Sequence, residues 1–360
     1  MIRVLVVDDS AFMRKAISMM LEEDAEIRVV DTARDGLEAI EKVKRLRPDL
    51  VTMDIEMPRM DGITALKRIM AEHPLPVMMI SSLTQEGAQA TVEALQAGAV
   101  DFIPKQMSYV SLEINKIKAD LIEKVKSIVK ARSGLFRRTT PAGTSPVAAG
   151  PPLRYHRACV LVIGVSTGGP FALHKMIPAL PKDFALPVVI VQHMPPHFTR
   201  SLAERLDTLS ALRVAEAAPI MRVEPGMVLI APGGRHLIFR ASKLGVIVAT
   251  PEQPSTLHRP SVDVMFSSAC KAYDGQVLAL VMTGMGKDGL EGARRIKRYG
   301  GKVVAQSEET CVVYGMPKVV VEAGLADAVL PLDNLADALT HAVSRRVNSI
   351  HPRSPTMGLP

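Results

Sequence analysis

Residues 4–7 form an apolar, mostly β-branched run that stops at Asp8 and Asp9, after which apolar positions recur at helical spacing to Leu21. The change from a short apolar run to a three-to-four-residue period is the mark of a strand followed by a helix. It recurs along the first third of the chain. Strands are predicted over 3–7, 28–33, 50–53, 77–80 and 100–103, and helices over 10–21, 36–45, 62–72, 85–97 and from 108 to about 131. Regular strand–helix alternation calls for a parallel sheet with helices on both faces. Residues 1–131 are thus expected to be a five-stranded, doubly wound α/β domain.

The pattern breaks over residues 132–157, where Ser133-Gly134, Pro141, Gly143, Pro146 and Gly150-Pro151-Pro152 leave no periodicity. Such a composition reads as an interdomain linker. Alternation resumes in a second domain, 158–345, with strands at 159–165, 188–192, 277–282 and 303–305. A more β-rich insertion, about 213–250, carries turns at Glu224-Pro225-Gly226 and Pro232-Gly233-Gly234. The expectation is a mostly parallel α/β sheet with an added antiparallel portion. A helical pattern after Leu332 closes this domain, and residues 346–360 read as a flexible tail.

With 360 residues, 48% of them hydrophobic, the chain can bury two cores. No apolar run reaches membrane-spanning length, and the N-terminus runs straight into Asp8 and Asp9, so neither insertion in a membrane nor a signal peptide is expected. Cys159, Cys270 and Cys311 lie far apart in apolar contexts, as reduced thiols of a cytoplasmic protein do. The net charge of +7 is local: five arginines and no acid fall in 131–158, and three more arginines follow Ala342 without an acid. Removing those eight charges from +7 leaves −1 for the folded parts. With no Trp and 4% aromatic residues, no nucleic-acid platform is expected.

Strand ends carry the chemistry. Asp8 and Asp9 follow the first strand, Asp54 the third, Ser81 the fourth and Lys105 the fifth. In a parallel sheet those ends meet in one crevice. Crowded carboxylates repel one another unless a cation joins them, and hard oxygen donors suit Mg²⁺. A hydroxyl and an ammonium facing that cluster can hold a phosphoryl group on Asp54. Acids after strands also cap helices, but the four strand ends together favour the phosphoryl site. Residues 1–131 resemble a response-regulator receiver domain, through Val7-Asp8-Asp9-Ser10, Met53-Asp54-Ile-Glu56-Met-Pro58, Asp61-Gly62, Ile80-Ser81-Ser82 and Asp101-Phe102-Ile-Pro104-Lys105. The resemblance implies that Asp54 accepts the phosphoryl group and that Asp8, Asp9, Asp54 and the Glu56 carbonyl serve Mg²⁺. It also places Ser81, Phe102 and Lys105 at the switch positions. The family usually has proline after that lysine; here Pro104 precedes it and Gln106 follows.

In the second half, the apolar run 159–165 ends in Gly164-Val-Ser166-Thr-Gly168-Gly169-Pro170. This fits the nucleophile-elbow pattern G-x-S-x-G, and equally a Gly-rich turn whose hydroxyl caps a helix. A serine needs a base, and the base an orienting acid. His193 ends the neighbouring strand 188–192, and Asp288 follows the strand 277–282. Three strand ends presenting Ser, His and Asp to one crevice favour a triad. The α/β-hydrolase order of Ser, acid, His would need His341 or His351, in a terminal helix and a tail. His193 and His197 stand four apart, but Pro195-Pro196 spoils a helical zinc pair. The glycines lack the P-loop lysine and the dinucleotide spacing.

Gly164-Val-Ser166-Thr-Gly-Gly-Pro170, Val191-Gln-His193-Met-Pro-Pro196, His258-Arg-Pro-Ser-Val-Asp263 and Met282-Thr-Gly-Met285-Gly-Lys-Asp288-Gly289 follow one another behind the receiver motifs. Over essentially its whole length the chain resembles the chemotaxis response-regulator protein-glutamate methylesterases, which also deamidate receptor glutamines. The resemblance implies Ser166 as nucleophile, His193 as base, Asp288 as its orienting acid and the Met285 N–H as an oxyanion donor, with no cofactor for the ester chemistry. It implies a chemotaxis histidine kinase as phosphodonor and methyl-accepting chemotaxis receptors as substrate. His258, Arg259 and Asp263 fit either a supporting network or a substrate contact.

Overall fold

The computed structural model of the chain describes residues 1–105, 111–136, 154–242 and 245–344. The first half runs β1 (Ile2–Val7), α1 (Ala11–Glu22), β2 (Ile27–Ala33), α2 (Gly36–Leu46), β3 (Leu50–Asp54), α3 (Gly62–Glu72), β4 (Val77–Ser82), α4 (Gln85–Gln96), β5 (Asp101–Lys105) and α5 (Ser111–Phe136). Its five strands pair in parallel in the order β2-β1-β3-β4-β5. Central strands of such a sheet are covered on both faces and need continuous apolar runs; Val4 to Val7 and Leu50 to Met53 are buried throughout. Ser10, Asp35, Asp61 and Thr84 accept N–H bonds at the starts of α1 to α4, satisfying donors that a helix leaves free.

Most boundaries differ from the sequence reading by one or two residues, and two differences bear on the crevice and the linker. β5 begins at Asp101 and includes Pro104 and Lys105, because its pairing with β4 continues to Ser82↔Lys105. Helix α5 continues to Phe136, so residues 132–136 of the expected linker are helical. Gln106, the expected helix start at 108, the rest of that linker to residue 153 and the tail from 346 lie outside the described residues.

The second half runs β6 (Val160–Val165), α6 (Gly169–Met176), β7 (Val188–Gln192), α7 (Phe198–Leu209), β8 (Arg213–Glu216), β9 (Met227–Ile230), β10 (Ile238–Ser242), β11 (Gly245–Ala249), α8 (Val262–Ala272), β12 (Val277–Val281), α9 (Leu290–Arg298), β13 (Lys302–Gln306), α10 (Met316–Glu322), β14 (Ala328–Leu330) and α11 (Leu332–Val343). Seven strands form a parallel sheet, β14-β13-β12-β6-β7-β9-β8, and β10 and β11 form a separate antiparallel pair. The expected antiparallel portion is the β10–β11 pair, in the second half of the 213–250 insertion. β8 and β9 join the large sheet in parallel because Val228, Leu229 and Ile230 are apolar on both faces, as a covered strand requires. β6 lies between β7 and β12, so the chain leaves it toward both edges; that switch point is where open α/β sheets form clefts.

The halves touch. Helix α4 lies against α6 and α7, and Arg205 Nε donates to Gln96 Oε1 at 2.9 Å. The rings of Phe102 and Phe198 stack with centroids 4.5 Å apart and planes 15° apart. Met285 and Val312 pack on the apolar cluster that contains Leu121, Val125 and Ile128 of α5. Among the described residues no helix is long and apolar enough to cross a membrane.

Candidate active site

Ser166 follows β6 directly and is half-buried. Its turn is held by backbone: the Ser166 N–H donates to Thr283 O at 3.0 Å and the Gly169 N–H to Ser166 O at 2.8 Å. Gln192 Nε2 adds a third bond to the Ser166 carbonyl at 3.0 Å. None of these uses the hydroxyl. Gly284 lies so close that a Cβ there would stand 2.8 Å from Ser166 Cβ, which is why the second loop must carry glycine at that point.

His193 follows β7, and its Nε2 lies 2.9 Å from Asp288 Oδ2. Asp288 comes from the loop between β12 and α9. An ionised carboxylate only accepts, so Nε2 carries the hydrogen. Nδ1 is buried and has no partner among the described residues, which leaves the basic nitrogen free. Ser166, His193, Met285 and Gly286 line one cleft of about 380 Å³. Asp288 also accepts the Ser261 hydroxyl and the N–H groups of Val262 and Asp263, at 2.7 to 3.0 Å. Burial alone would raise its pKa; the His193 bond and charge, with the backbone donors, outweigh that and hold it well below the usual carboxylate range.

In the first half, Asp8, Asp9 and Asp54 bring carboxylate oxygens within 4.8 Å of one another. Lys105 Nζ bridges Asp8 Oδ2 at 3.0 Å and Asp54 Oδ2 at 2.7 Å. Burial pushes the Asp54 pKa up to about 6 against the pull of Lys105, with Asp8 adding to the rise. Glu56 is exposed in the loop after β3. The Ser81 hydroxyl donates to the carbonyls of Gly87 at 3.1 Å and Ser82 at 3.3 Å, and no bond to Asp54 is present among the described residues.

The response regulator receiver domain profile matches residues 4–115, and the CheB methylesterase profile matches 161–339. A protein-glutamate methylesterase/protein-glutamine glutaminase of Oleidesulfovibrio alaskensis is 48% identical, over 95% of this chain and 100% of that protein. One from Thermotoga maritima is 47% identical, over 95% of this chain and 98% of its own. The chain belongs to the CheB methylesterase family. The crystal structure of the Thermotoga maritima CheB methylesterase catalytic domain overlays with a TM-score of 0.50 at 48% identity, covering 51% of this chain and 97% of that one. This CheB-family chain is thus a protein-glutamate methylesterase and protein-glutamine glutaminase joined to a receiver.

Its cleft also holds groups that the sequence reading does not place. The His258 ring stacks on His193, centroids 4.2 Å apart and planes 15° apart. Arg259 is exposed at the cleft rim, whereas Asp263 turns away and accepts the N–H groups of Gly289 and Gly292. From the receiver, Phe102, Pro104, Asp120 and Lys124 line the same cleft as Ser166. Lys124 donates to Phe102 O at 3.0 Å and pairs with Asp101 at 3.1 Å and Asp120 at 3.6 Å. No local motif marks α5 as facing a cleft from another domain; that follows only from docking.

Burial, then the neighbouring His193, lowers the His258 pKa to about 4. Its folded value lies below the unfolded value of about 6.5, so the unfolded chain binds more protons between the two and stability falls as pH drops through that window. His258→Phe keeps a ring and removes that loss. Urea unfolding should match the parent near pH 7.5 and favour the variant by about 1 kcal/mol near pH 5, after allowing for solvent screening. Parallel pH dependences for parent and variant would contradict a desolvated His258.

Proposed function

We propose that this chain removes methyl esters from glutamates of chemotaxis receptors, and deamidates receptor glutamines, through Ser166, His193 and Asp288, under phosphorylation control at Asp54. What carries the reading is the His193–Asp288 pair at the strand end beside the Ser166 turn, in one cleft. The Ser166 oxygen attacks the ester carbonyl carbon while His193 Nδ1 takes its proton. The oxyanion is stabilised by the Met285 N–H, on a loop that the left-handed Gly286 (φ 82°) turns toward the cleft. When the tetrahedral species collapses, the imidazolium protonates the departing oxygen and methanol leaves; with glutamine, ammonia leaves. Water then attacks the glutamyl ester, His193 takes its proton, and Ser166 is restored with a glutamate carboxylate as product. Asp288 stays ionised and holds the ring with Nε2 protonated.

The receiver is the control element, and a chemotaxis histidine kinase is its phosphodonor. The donor set of Asp8, Asp9 and Asp54, all carboxylates, fits Mg²⁺, with the Glu56 carbonyl as a further ligand. Held by these residues, Mg²⁺ would neutralise charge on an incoming phosphoryl group. Lys105, freed from its two carboxylates, pairs with the phosphoryl oxygens, and the Ser81 hydroxyl turns from the Gly87 carbonyl toward them. At rest, Phe102 and α5 narrow the approach to Ser166. The enzyme works in the cytoplasm, where kinase and receptor glutamates meet.

The fragment from Ala158 to the C-terminus should fold alone, since its own sheet and helices bury a core. In methanol release from methylated receptor membranes it should be at least as active as the unphosphorylated full chain. A folded, inactive fragment would show that the receiver supplies part of the site.

A further inference from the structure

The loop from residue 251 to 261 crosses the catalytic cleft without belonging to any strand or helix. It carries two groups that touch the catalytic set: His258, stacked on His193, and Ser261, whose hydroxyl donates to Asp288 Oδ1 at 3.0 Å. Underneath it lies His236, fully buried at 0% exposure. Both nitrogens of that ring are spent on the loop. The Ser261 N–H donates to Nδ1 at 3.2 Å, so Nδ1 carries no hydrogen and Nε2 does. Nε2 donates to the Pro254 carbonyl at 2.8 Å. Neighbouring backbone follows the same path: the His236 N–H reaches Pro251 O at 2.8 Å and the Gly234 N–H reaches Arg259 O at 3.1 Å.

We propose that His236 is a positioning residue of the esterase, tying the two ends of the 254–261 loop so that His258 covers the face of His193 and Ser261 holds Asp288. The proposal rests on the assignment of Ser166, His193 and Asp288 given above. A histidine buried only to fill space would not need each nitrogen matched to a different end of one loop, and any apolar group of its size would serve. Burying a polar ring is costly unless both nitrogens are satisfied. Here satisfaction depends on the loop lying where it does. Burial also lowers the His236 pKa, which keeps the ring neutral and Nδ1 able to accept. The consequence falls on geometry. His193 is held at its edge by Asp288 and on its face by His258, so a loop that drifts releases the ring in two directions.

The distinguishing comparison is His236→Gln against His236→Leu in the full chain, by steady-state methanol release from methylated receptor membranes with acetyl phosphate and Mg²⁺. Glutamine offers one acceptor and one donor and should keep kcat within about threefold of the parent; leucine fills the space with neither. Misplacing a catalytic group by about an ångström costs on the order of 100-fold, so His236→Leu should lose about 10- to 100-fold in kcat with KM changed less than about threefold. Equal rates for the two variants, or a loss confined to KM, would overturn the proposal. If His236→Leu fails to fold, the loop itself is tested: His258→Ala should lose about tenfold in kcat and His258→Phe should recover most of it. A His258→Ala enzyme at the parent rate would overturn the proposal as well. Ser166→Ala in the same assay separates the two levels. If it is inactive while the His236 variants are unaffected, only the loop proposal falls; if it is active, the catalytic assignment falls.

Discussion

Ser166→Ala is expected to end methanol release without unfolding the protein. The turn around Ser166 is held by its backbone N–H and carbonyl, through Thr283, Gly169 and Gln192, so removing the hydroxyl leaves those bonds in place. Loss of a triad member typically lowers the rate on the order of 10⁴- to 10⁶-fold. His193→Ala should be nearly as severe, because it removes the base and leaves the Asp288 carboxylate buried without its imidazole. His197→Ala is the control. That residue is exposed ahead of α7, on the far side of Pro195-Pro196, and its loss should cost less than about tenfold. Equal losses at His193 and His197 would reopen the choice of base, and a Ser166→Ala enzyme within tenfold of the parent would remove Ser166 from the mechanism.

Phe102→Ala should release the brake without any phosphodonor. The Phe102–Phe198 stack joins β5 of the receiver to the start of α7, and α7 follows the loop that carries His193. An aromatic pair contributes about 0.5–1.5 kcal/mol beyond its buried area, and each 1.4 kcal/mol is a tenfold change in a closed-to-open ratio. The basal rate should therefore rise severalfold to about tenfold, bounded by the rate of the fragment from Ala158. The Arg205–Gln96 bond and the Met285 contact with α5 remain, so the release is partial. A basal rate equal to or below the parent's, from a folded variant that acetyl phosphate still stimulates, would separate the stack from the control of access. Driving such an equilibrium from 1:99 to 99:1 needs about 5.5 kcal/mol, more than one phosphoryl contact supplies. Activation is accordingly expected to be graded, with measurable activity at rest.

Much of this arrangement was legible along the chain because parallel sheets put function at strand ends. The positions of Asp54, Lys105, Ser166 and His193 each follow from where an apolar run stops. Asp288 is harder, since its strand is more than a hundred residues from Ser166 in sequence; only the pairing of β12 with β6 puts it beside His193. What periodicity cannot carry is side-chain direction. Nothing local says that Nε2 rather than Nδ1 of His193 faces Asp288, or that Lys105 bridges Asp8 and Asp54. Which strands of the 213–250 insertion are parallel is not readable along the chain for a related reason: strands of four residues between turn signals look like hairpins until their partners are known. His236 offered no signal at all, because its role lies in what two distant loop atoms donate and accept.

The proposed coupling of Asp54 phosphorylation to the esterase can be measured in a single titration: initial rate of methanol release from methylated receptor membranes against acetyl phosphate, with Mg²⁺ or with EDTA, for the parent and Asp54→Asn. On the proposed Mg²⁺ role at Asp8, Asp9 and Asp54, the parent should be stimulated with Mg²⁺ and not with EDTA. Asp54→Asn keeps the shape, cannot form the acyl phosphate, and should stay at its basal rate throughout. Equal stimulation of the parent and Asp54→Asn would contradict the account.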